Sequence, residues 1–386
     1  MTRLKDLIGC RRRWLLDAGL GLGLALVAWL AAGAYATGDL FIWGDHPGQF
    51  MRFWYPLTTS LPRYGRIVDW NPLWYAGYPE LQFYPPGYIL LGLALNFVTL
   101  GLLSPERVYS LIPSVALALP AFTAYAFLRH ALARLGGLAS RVAGVVAALL
   151  ALSFTPMWGG TNAVPIGMLG ERLAFGLGPL VLLAGWRLVE RPDGRRLATA
   201  SVSLATVALF HPFHAPALAL AVGLYAAGRG LLMRVGRRAD AIAGEDDRPE
   251  QKARGRWTWL AGWWALTAAL IAWWALPLLA RQSSYAASLV RASPAQTRDW
   301  LGFSPAPSLL VAALPALTLL TQRDRRVQAT VAALALLIPV VAFGIWFDYA
   351  VLFQVLGIVA LDPIRFIAEY YMAILLLTGA AAGALC

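Results

Sequence analysis

The chain has 386 residues, 59% of them hydrophobic and only 13% charged, with a formal net charge of +12. Apolar runs of roughly 15 to 23 residues recur to its end. This excludes a soluble domain with amphipathic stripes and points to a polytopic α-helical membrane protein, since a bilayer core takes about 20 apolar helical residues. The basic residues fall between those runs and not on one aromatic-laced face, so they reflect membrane topology and no nucleic-acid partner is expected. Two cysteines at opposite ends, Cys10 and Cys386, allow neither a disulfide framework nor a CxxC site.

The chain opens with Arg3, Lys5 and Arg11 to Arg13 ahead of an apolar run from Trp14 to Ala36. A basic start, an apolar stretch and the triplet Ala34-Tyr35-Ala36 also describe a signal peptide with its cleavage site. The run is long enough to span, and we read it as an uncleaved first helix. Asp17 inside it lies near the basic end, opposite Arg13, and is assigned no function.

Thr37 to Gly87 forms a long loop, rich in Trp, Tyr and Pro and bearing acids. Chains with many spans rarely keep such a loop without a binding or catalytic use. Asp45 and His46 precede Pro47, a helix-start signal, and Phe50, Phe53, Trp54 and Leu57 follow at helical spacing. The pattern predicts a short interfacial helix from Pro47 to about Leu61, its apolar face toward the bilayer surface or neighbouring helices. Asp45 is then displayed at a helix N-terminus, either as a plain N-cap or as a catalytic group. Downstream, Trp70 to Glu80 and Phe83-Tyr84-Pro85-Pro86 set aromatics between Pro and Gly residues. Rings such as Trp74 and Tyr84 offer flat faces to sugars, and the same rings favour membrane interfaces. Closely spaced Pro and Gly fix an irregular backbone, which favours binding over an anchor row.

Further apolar segments run over Tyr88 to Leu103, Tyr109 to Leu128, Val142 to Thr155, Ala174 to Leu188, Leu197 to Phe210, Ala215 to Met233, Thr258 to Leu279, Pro305 to Thr321, Val327 to Phe347 and Phe366 to Leu385. Arg129 to Arg141, Arg187 to Arg196, Arg229 to Arg256 and Arg323 to Arg326 are basic connections; the others hold aromatics, Pro and His. With the N-terminus and these basic loops cytoplasmic, about 23 of the 32 Lys and Arg lie inside. Two full crossings by Tyr88 to Leu103 and Tyr109 to Leu128 would nearly reverse that ratio. Tyr88 to Leu128 is therefore expected to cross once, its first piece re-entrant or interfacial and held against protein. About ten crossings result, with both ends inside.

The exoplasmic face then gathers Thr37 to Gly87, Pro156 to Leu173, His211 to His214, Arg281 to Ser304 and Asp348 to Arg365. Residues 1–386 read as a single transmembrane domain. Residues 234–256, mixed in charge, read as a solvated cytoplasmic linker. The apolar end without a polar tail has the pattern of a fragment of a longer protein.

His211-Pro212-Phe213-His214 sets two imidazoles three apart in a short external turn, where they could bind metal or shuttle protons. No acid lies nearby in sequence, so the turn reads as hydrogen-bonded and His211 as cavity-lining. Near the end, Arg365 in Asp362-Pro363-Ile364-Arg365-Phe366 can present its planar donors to a lipid phosphate, pair with Asp362 or Glu369, or snorkel. Walker loops, nucleophile elbows and Rossmann glycine patterns are absent.

In order, the basic N-terminus, the first span, the Gly44-Asp45-His46-Pro47-Gly48-Gln49 loop, the WNPLWYAGYPELQFYPPGYILLG stretch and the late LDPIRF element resemble the GT-C superfamily of polytopic glycosyltransferases. More narrowly, the chain resembles the membrane proteins labelled 6-pyruvoyl-tetrahydropterin synthase-related. The resemblance implies a GT-C-like fold in the bilayer of the cell membrane. It also implies transfer of a sugar from a polyprenyl-phosphate carrier to a glycan, lipid or protein acceptor at the exoplasmic face. It places Asp45 at the reaction centre as general base or metal ligand and Glu171, followed by Arg172, as the second acid. A divalent cation, Mg or Mn, would sit on Asp45 and Glu171, although the first loop lacks the family's paired acidic motif. His46, Trp74, Tyr84, His211 and Arg365 are assigned to substrate binding. The alternative is a non-catalytic membrane subunit or scaffold with the same fold, acting with other membrane subunits. Transport ranks behind both, because the spans hold few ionisable residues.

Overall fold

In the computed structural model the described residues are 2–32, 44–67, 70–73, 77–81, 85–156, 159–241, 250–280, 298–299, 301, 306–353, 355 and 366–386. Apolar runs satisfy their backbone groups internally by coiling, as a bilayer demands, and the fold is all-α. The helices are α1 (Thr2–Ala31), α2 (His46–Tyr55), α3 (Gly87–Val98), α4 (Pro105–Ala131), α5 (Gly137–Ser153) and α6 (Leu169–Glu190). They continue as α7 (Gly194–Phe210), α8 (His214–Ala241), α9 (Glu250–Ala280), α10 (Ala306–Ala313), α11 (Arg325–Phe347) and α12 (Ile367–Ala384). Among the described residues, six are long and apolar enough to cross a membrane: α4, α6, α8 over His214–Val235, α9 over Trp257–Ala280, α11 and α12. The one sheet among them is a two-residue antiparallel pair in the first loop, β1 (Trp70–Asn71) with β2 (Tyr78–Pro79), in which Trp70 faces Pro79 and Asn71 faces Tyr78. Asn71 Nδ2 donates to Glu80 Oε2 at 2.7 Å, closing that hairpin.

Helices start where acidic caps sit in the basic connections. Asp193 accepts from the Arg196 amide at 2.7 Å ahead of α7, and Asp324 from the Arg326 amide at 2.8 Å ahead of α11, supplying acceptors for amides that lack helical partners. Two helices run into the stretch read as a solvated linker, α8 as far as Ala241 and α9 from Glu250. The charges there did not end the helices, because Arg, Lys, Glu and Gln are good helix formers.

The core is built around α12, buried along nearly its whole length from Ile367 to Gly383. Gly379 and Gly383, one turn apart, let it lie against α5. A Cβ at either position would fall 2.7 Å from the Ala143 carbonyl or 2.6 Å from the Ala139 carbonyl. Small residues facing small residues bring backbones close, the packing on which helices in lipid rely.

The two ends of the bundle differ in chemistry. At one end Arg141 and Arg129 reach Asp17 of α1 at 2.7 and 3.4 Å, and Arg326 reaches Glu190 at 3.2 Å. The sequence set Asp17 near the basic end opposite Arg13, whose side chain lies outside the described ones; the described contacts to Asp17 come from α4 and α5. The opposite end collects the first loop, the start of α6, the α7–α8 turn and the start of α12. Helix α3 belongs to that end: its Gly87 rests on the Leu209 carbonyl at the end of α7, and Gly92 lies over the Phe53 ring of α2. Helix α4 also starts there, with Tyr109 against His46, and finishes at Arg129. Helices α3 and α4 together therefore traverse the bundle once. Phe97, Val98, Leu100 and Leu102, at the end of α3 and in the turn after it, stay exposed.

Candidate functional site

Helix α2 starts at His46, with Pro47 in its first turn, and Asp45 is its N-cap residue. The helix continues through a π-turn at Pro56–Ser60 and a last turn at Leu61–Tyr64, ended by Gly65 in the left-handed region. Phe53 is buried and Phe50 partly so, both against the Tyr109 ring at centroid distances of 6.0 and 5.3 Å. The face predicted to be apolar thus meets neighbouring helices.

The first loop is latched to the loop ahead of α6. The Asp45 amide donates to the Ile166 carbonyl at 2.7 Å, and His46 Nε2 lies 2.7 Å from the Val164 carbonyl. A carbonyl only accepts, so Nε2 carries the proton. In the neutral ring Nδ1 then accepts from the Tyr109 hydroxyl at 2.9 Å. Burial pushes the His46 imidazole below its ordinary value near 6.5; the Val164 carbonyl and Asp45 offset only part of that shift. Both glycines of the latch have positive φ and no room for a side chain. A Cβ on Gly44 would lie 2.3 Å from the Ile166 oxygen and one on Gly167 2.5 Å from the His46 nitrogen. The Asp45 carboxylate makes no capping hydrogen bond and stays exposed.

Behind the latch lies a buried cluster. Glu171 stands in the first turn of α6 and Glu369 in the first turn of α12, where helix N-termini favour negative charge. Between them the α7–α8 turn supplies His211 and His214. Glu171 Oε2 is 3.0 Å from His214 Nε2 and 3.2 Å from His211 Nδ1. His214 Nδ1 makes a short contact with Glu369 Oε1 on its other side. Glu171 is 2% exposed, His214 and Glu369 0%, and His211 9%. Glu171, His211 and His214 offer three ligand atoms within 4.8 Å of one another, a set able to hold a metal ion.

No family model and no curated protein matches this chain.

Next to Glu171, the Arg172 guanidinium is fully buried and lies over the Phe175 ring at 5.4 Å. It donates to the Ala151 carbonyl at 2.7 Å and to the Gly159 carbonyl. Ala151 belongs to the last turn of α5, whose carbonyls lack helical partners, so the arginine caps that helix and closes the chain beyond it.

Of the residues assigned from sequence, Asp45, His46, Glu171 and His211 fall at this end of the bundle. Asp45 is at the surface, while Glu171 and His211 sit together in the buried cluster. Both His46 ring nitrogens are engaged within the protein. Trp74, Tyr84 and Arg365 lie outside the described residues. Sequence reasoning set the HPFH turn aside for want of a neighbouring acid, yet two acids reach it from distant helix starts. His214 entered only as the second imidazole of that turn, and Glu369 only as a partner for Arg365. The available signal was an acid three residues inside an apolar span, a costly position in lipid unless partnered.

Proposed function

We propose that the protein is a membrane glycosyltransferase of GT-C type, crossing the cell membrane about ten times and transferring a sugar from a polyprenyl-phosphate carrier at its exoplasmic face. The crossings would be the six long helices with α1, α5, α7 and α10 together with the turn after it. The observation that carries this reading is the latch. Asp45 presents an exposed carboxylate at a helix start, while its amide binds Ile166, five residues before Glu171. An aspartate so placed can take the proton from an acceptor hydroxyl, be it glycan, lipid or protein, as glycosyl transfer requires. The leaving phosphate needs cationic help, and Arg365 keeps that assignment from sequence. A divalent cation, if the transfer uses one, would be bound by carboxylates of the same end.

One observation favours the alternative of a non-catalytic subunit or scaffold. Glu171, the second acid, is buried against two histidines, so general-base chemistry rests on Asp45 alone. Sugar transfer from a radiolabelled polyprenyl-phosphate donor by the full chain in membranes decides between them. We expect Asp45→Asn to lower the rate by about 100-fold or more with the melting midpoint unchanged. Absence of transfer by the parent protein, or an Asn variant as active as the parent, removes the enzyme reading in favour of the scaffold.

A further inference from the structure

Four ionisable side chains from three chain segments, the starts of α6 and α12 and the α7–α8 turn, meet in the buried cluster, and three of them offer ligand atoms within 4.8 Å of one another. Glu369 Oε1 lies against His214 Nδ1, and a carboxylate accepts, so the proton of a neutral His214 belongs on Nδ1. Nε2 then presents its lone pair to Glu171 Oε2, only 3.0 Å away, and that oxygen also carries lone pairs. His211 Nδ1 approaches the same oxygen at 3.2 Å. His214 Nε2 and Glu171 Oε2 thus face each other with lone pairs at 3.0 Å in a buried space, an approach that calls for a proton or a metal ion between them.

We propose that Glu171, His211 and His214 bind a divalent transition metal of the zinc class, with Glu369 orienting His214 from outside the coordination shell. Ligand spacing supports this. Bonds of about 2.0–2.1 Å to nitrogen and oxygen in a tetrahedron set neighbouring ligand atoms about 3.3 Å apart. The contacts of 3.0 and 3.2 Å lie just inside that edge. Ligand type supports it too, since two imidazoles with one carboxylate suit zinc and its neighbours, whereas magnesium and calcium take oxygen-rich shells. The carboxylate on the far nitrogen of His214 is the arrangement that fixes the tautomer and raises the basicity of a metal-bound histidine. Three protein ligands leave a fourth position for water or a substrate oxygen. The ion also ties α6, the α7–α8 turn and, through Glu369, α12 into one unit. The cluster would hold it whether or not the protein transfers sugar, and the test below does not depend on transfer.

The competing account of the same geometry is a proton: a His214 imidazolium bridging two carboxylates. Elemental analysis of the full chain purified in detergent separates the two. We expect about one zinc per chain, lost on dialysis against a strong chelator and regained with Zn²⁺ but not Mg²⁺. Removal should lower the melting midpoint and re-addition restore it. X-ray absorption at the zinc edge should show nitrogen and oxygen neighbours at about 2.0–2.1 Å and no sulfur. Glu171→Gln should abolish binding, and Glu369→Gln should weaken it about 10- to 100-fold in competition with a chromophoric chelator. His130→Asn, at the basic end, should leave it unchanged. Should the parent protein hold no zinc and show no shift of its midpoint with Zn²⁺, the proton account replaces ours. Loss of zinc from His130→Asn equal to that from Glu171→Gln would likewise show the metal to be adventitious. The parent measurements need no variant, so misfolding of Glu171→Gln leaves the proposal fully exposed to them.

Discussion

His46 Nε2 stands 2.7 Å from the carbonyl of Val164, 118 positions further along the chain, and joins the first loop to the loop that leads into α6. Both ring nitrogens are needed in the neutral state, one to donate and one to accept from Tyr109. Burial depresses the folded-state value below the ordinary one of about 6.5. Above about pH 6.5 the folded and unfolded chains both carry the neutral ring, and the latch contributes in full. Below it the unfolded chain takes up the proton first, so stability falls until the pH passes the lower folded value. The melting midpoint should therefore drop between pH 7.5 and 5, and drop less in His46→Gln, which cannot titrate. Equal pH slopes in the two proteins would show that His46 is not the group responsible. At pH 7.5 the substitution should itself cost about 1–3 kcal/mol, since the Gln amide cannot serve both the Val164 carbonyl and the Tyr109 hydroxyl, which keeps only the long bond of 3.4 Å to the backbone carbonyl of residue 46.

The same latch can be tested through its backbone. Gly167 has φ +90° and Gly65 φ +66°, so alanine at either incurs the left-handed penalty of about 1–2 kcal/mol. Only at Gly167 does the added methyl meet another chain segment, 2.5 Å from the His46 nitrogen; at Gly65 nothing lies within 4 Å. Gly167→Ala should thus destabilise by about 2 kcal/mol more than Gly65→Ala, as read by chemical or thermal unfolding in detergent. Equal effects would mean that the two loops are not in contact in solution.

What the sequence could disclose follows from the range of the interactions. Helices and their ends are written in local patterns, apolar runs between basic connections and Asp caps, and these could be read without a partner. Asp45 ahead of Pro47 announced α2 in the same way. The sorting of loops followed from charge, a property each loop carries by itself. The buried cluster was not local. His214 and Glu369 are 155 positions apart, and no periodicity links them. His46 looked like a substrate contact because an exposed-seeming loop gave no hint of Val164 or Tyr109. Trp74, Tyr84 and Arg365 fall outside the described residues, so their sugar and phosphate roles remain expectations from sequence.

Arg172 offers a test of how the loop between α5 and α6 is held. Its buried guanidinium serves two carbonyls, those of Ala151 and Gly159, through separate nitrogens. A lysine has one ammonium on a flexible stem and cannot reproduce that fork. Arg172→Lys should cost about 1–2 kcal/mol and Arg172→Met about 2–3 kcal/mol, the latter leaving both carbonyls without a donor. Protease cleavage within residues 154–160 should rise in the same order. A Lys variant as stable as the parent would assign the arginine to packing against Phe175 and not to the carbonyls.

At the basic end, Asp17 tests whether α1 is fastened by charge or only by apolar packing. Its Oδ1 accepts from Arg141 Nε at 2.7 Å, from the Tyr125 hydroxyl at 3.1 Å and from Arg129 Nε at 3.4 Å, and Oδ2 takes a further contact from Arg141 at 3.4 Å. The side chain of Arg141 is 14% exposed and that of Arg129 25%, so the shorter, forked pair is also the better shielded. Charge-assisted bonds weaken with length and with access to solvent. Arg141→Gln should therefore lower stability more than Arg129→Gln, by about 1 kcal/mol against a few tenths. In a double-mutant cycle with Asp17→Asn, coupling should reside in the Asp17–Arg141 pair and shrink as salt is raised, because a partly exposed pair is screened. Equal coupling for both arginines, or coupling that ignores salt, would place the attachment of α1 in its apolar contacts with α4 and α5, and Asp17 would then be a passenger in the span.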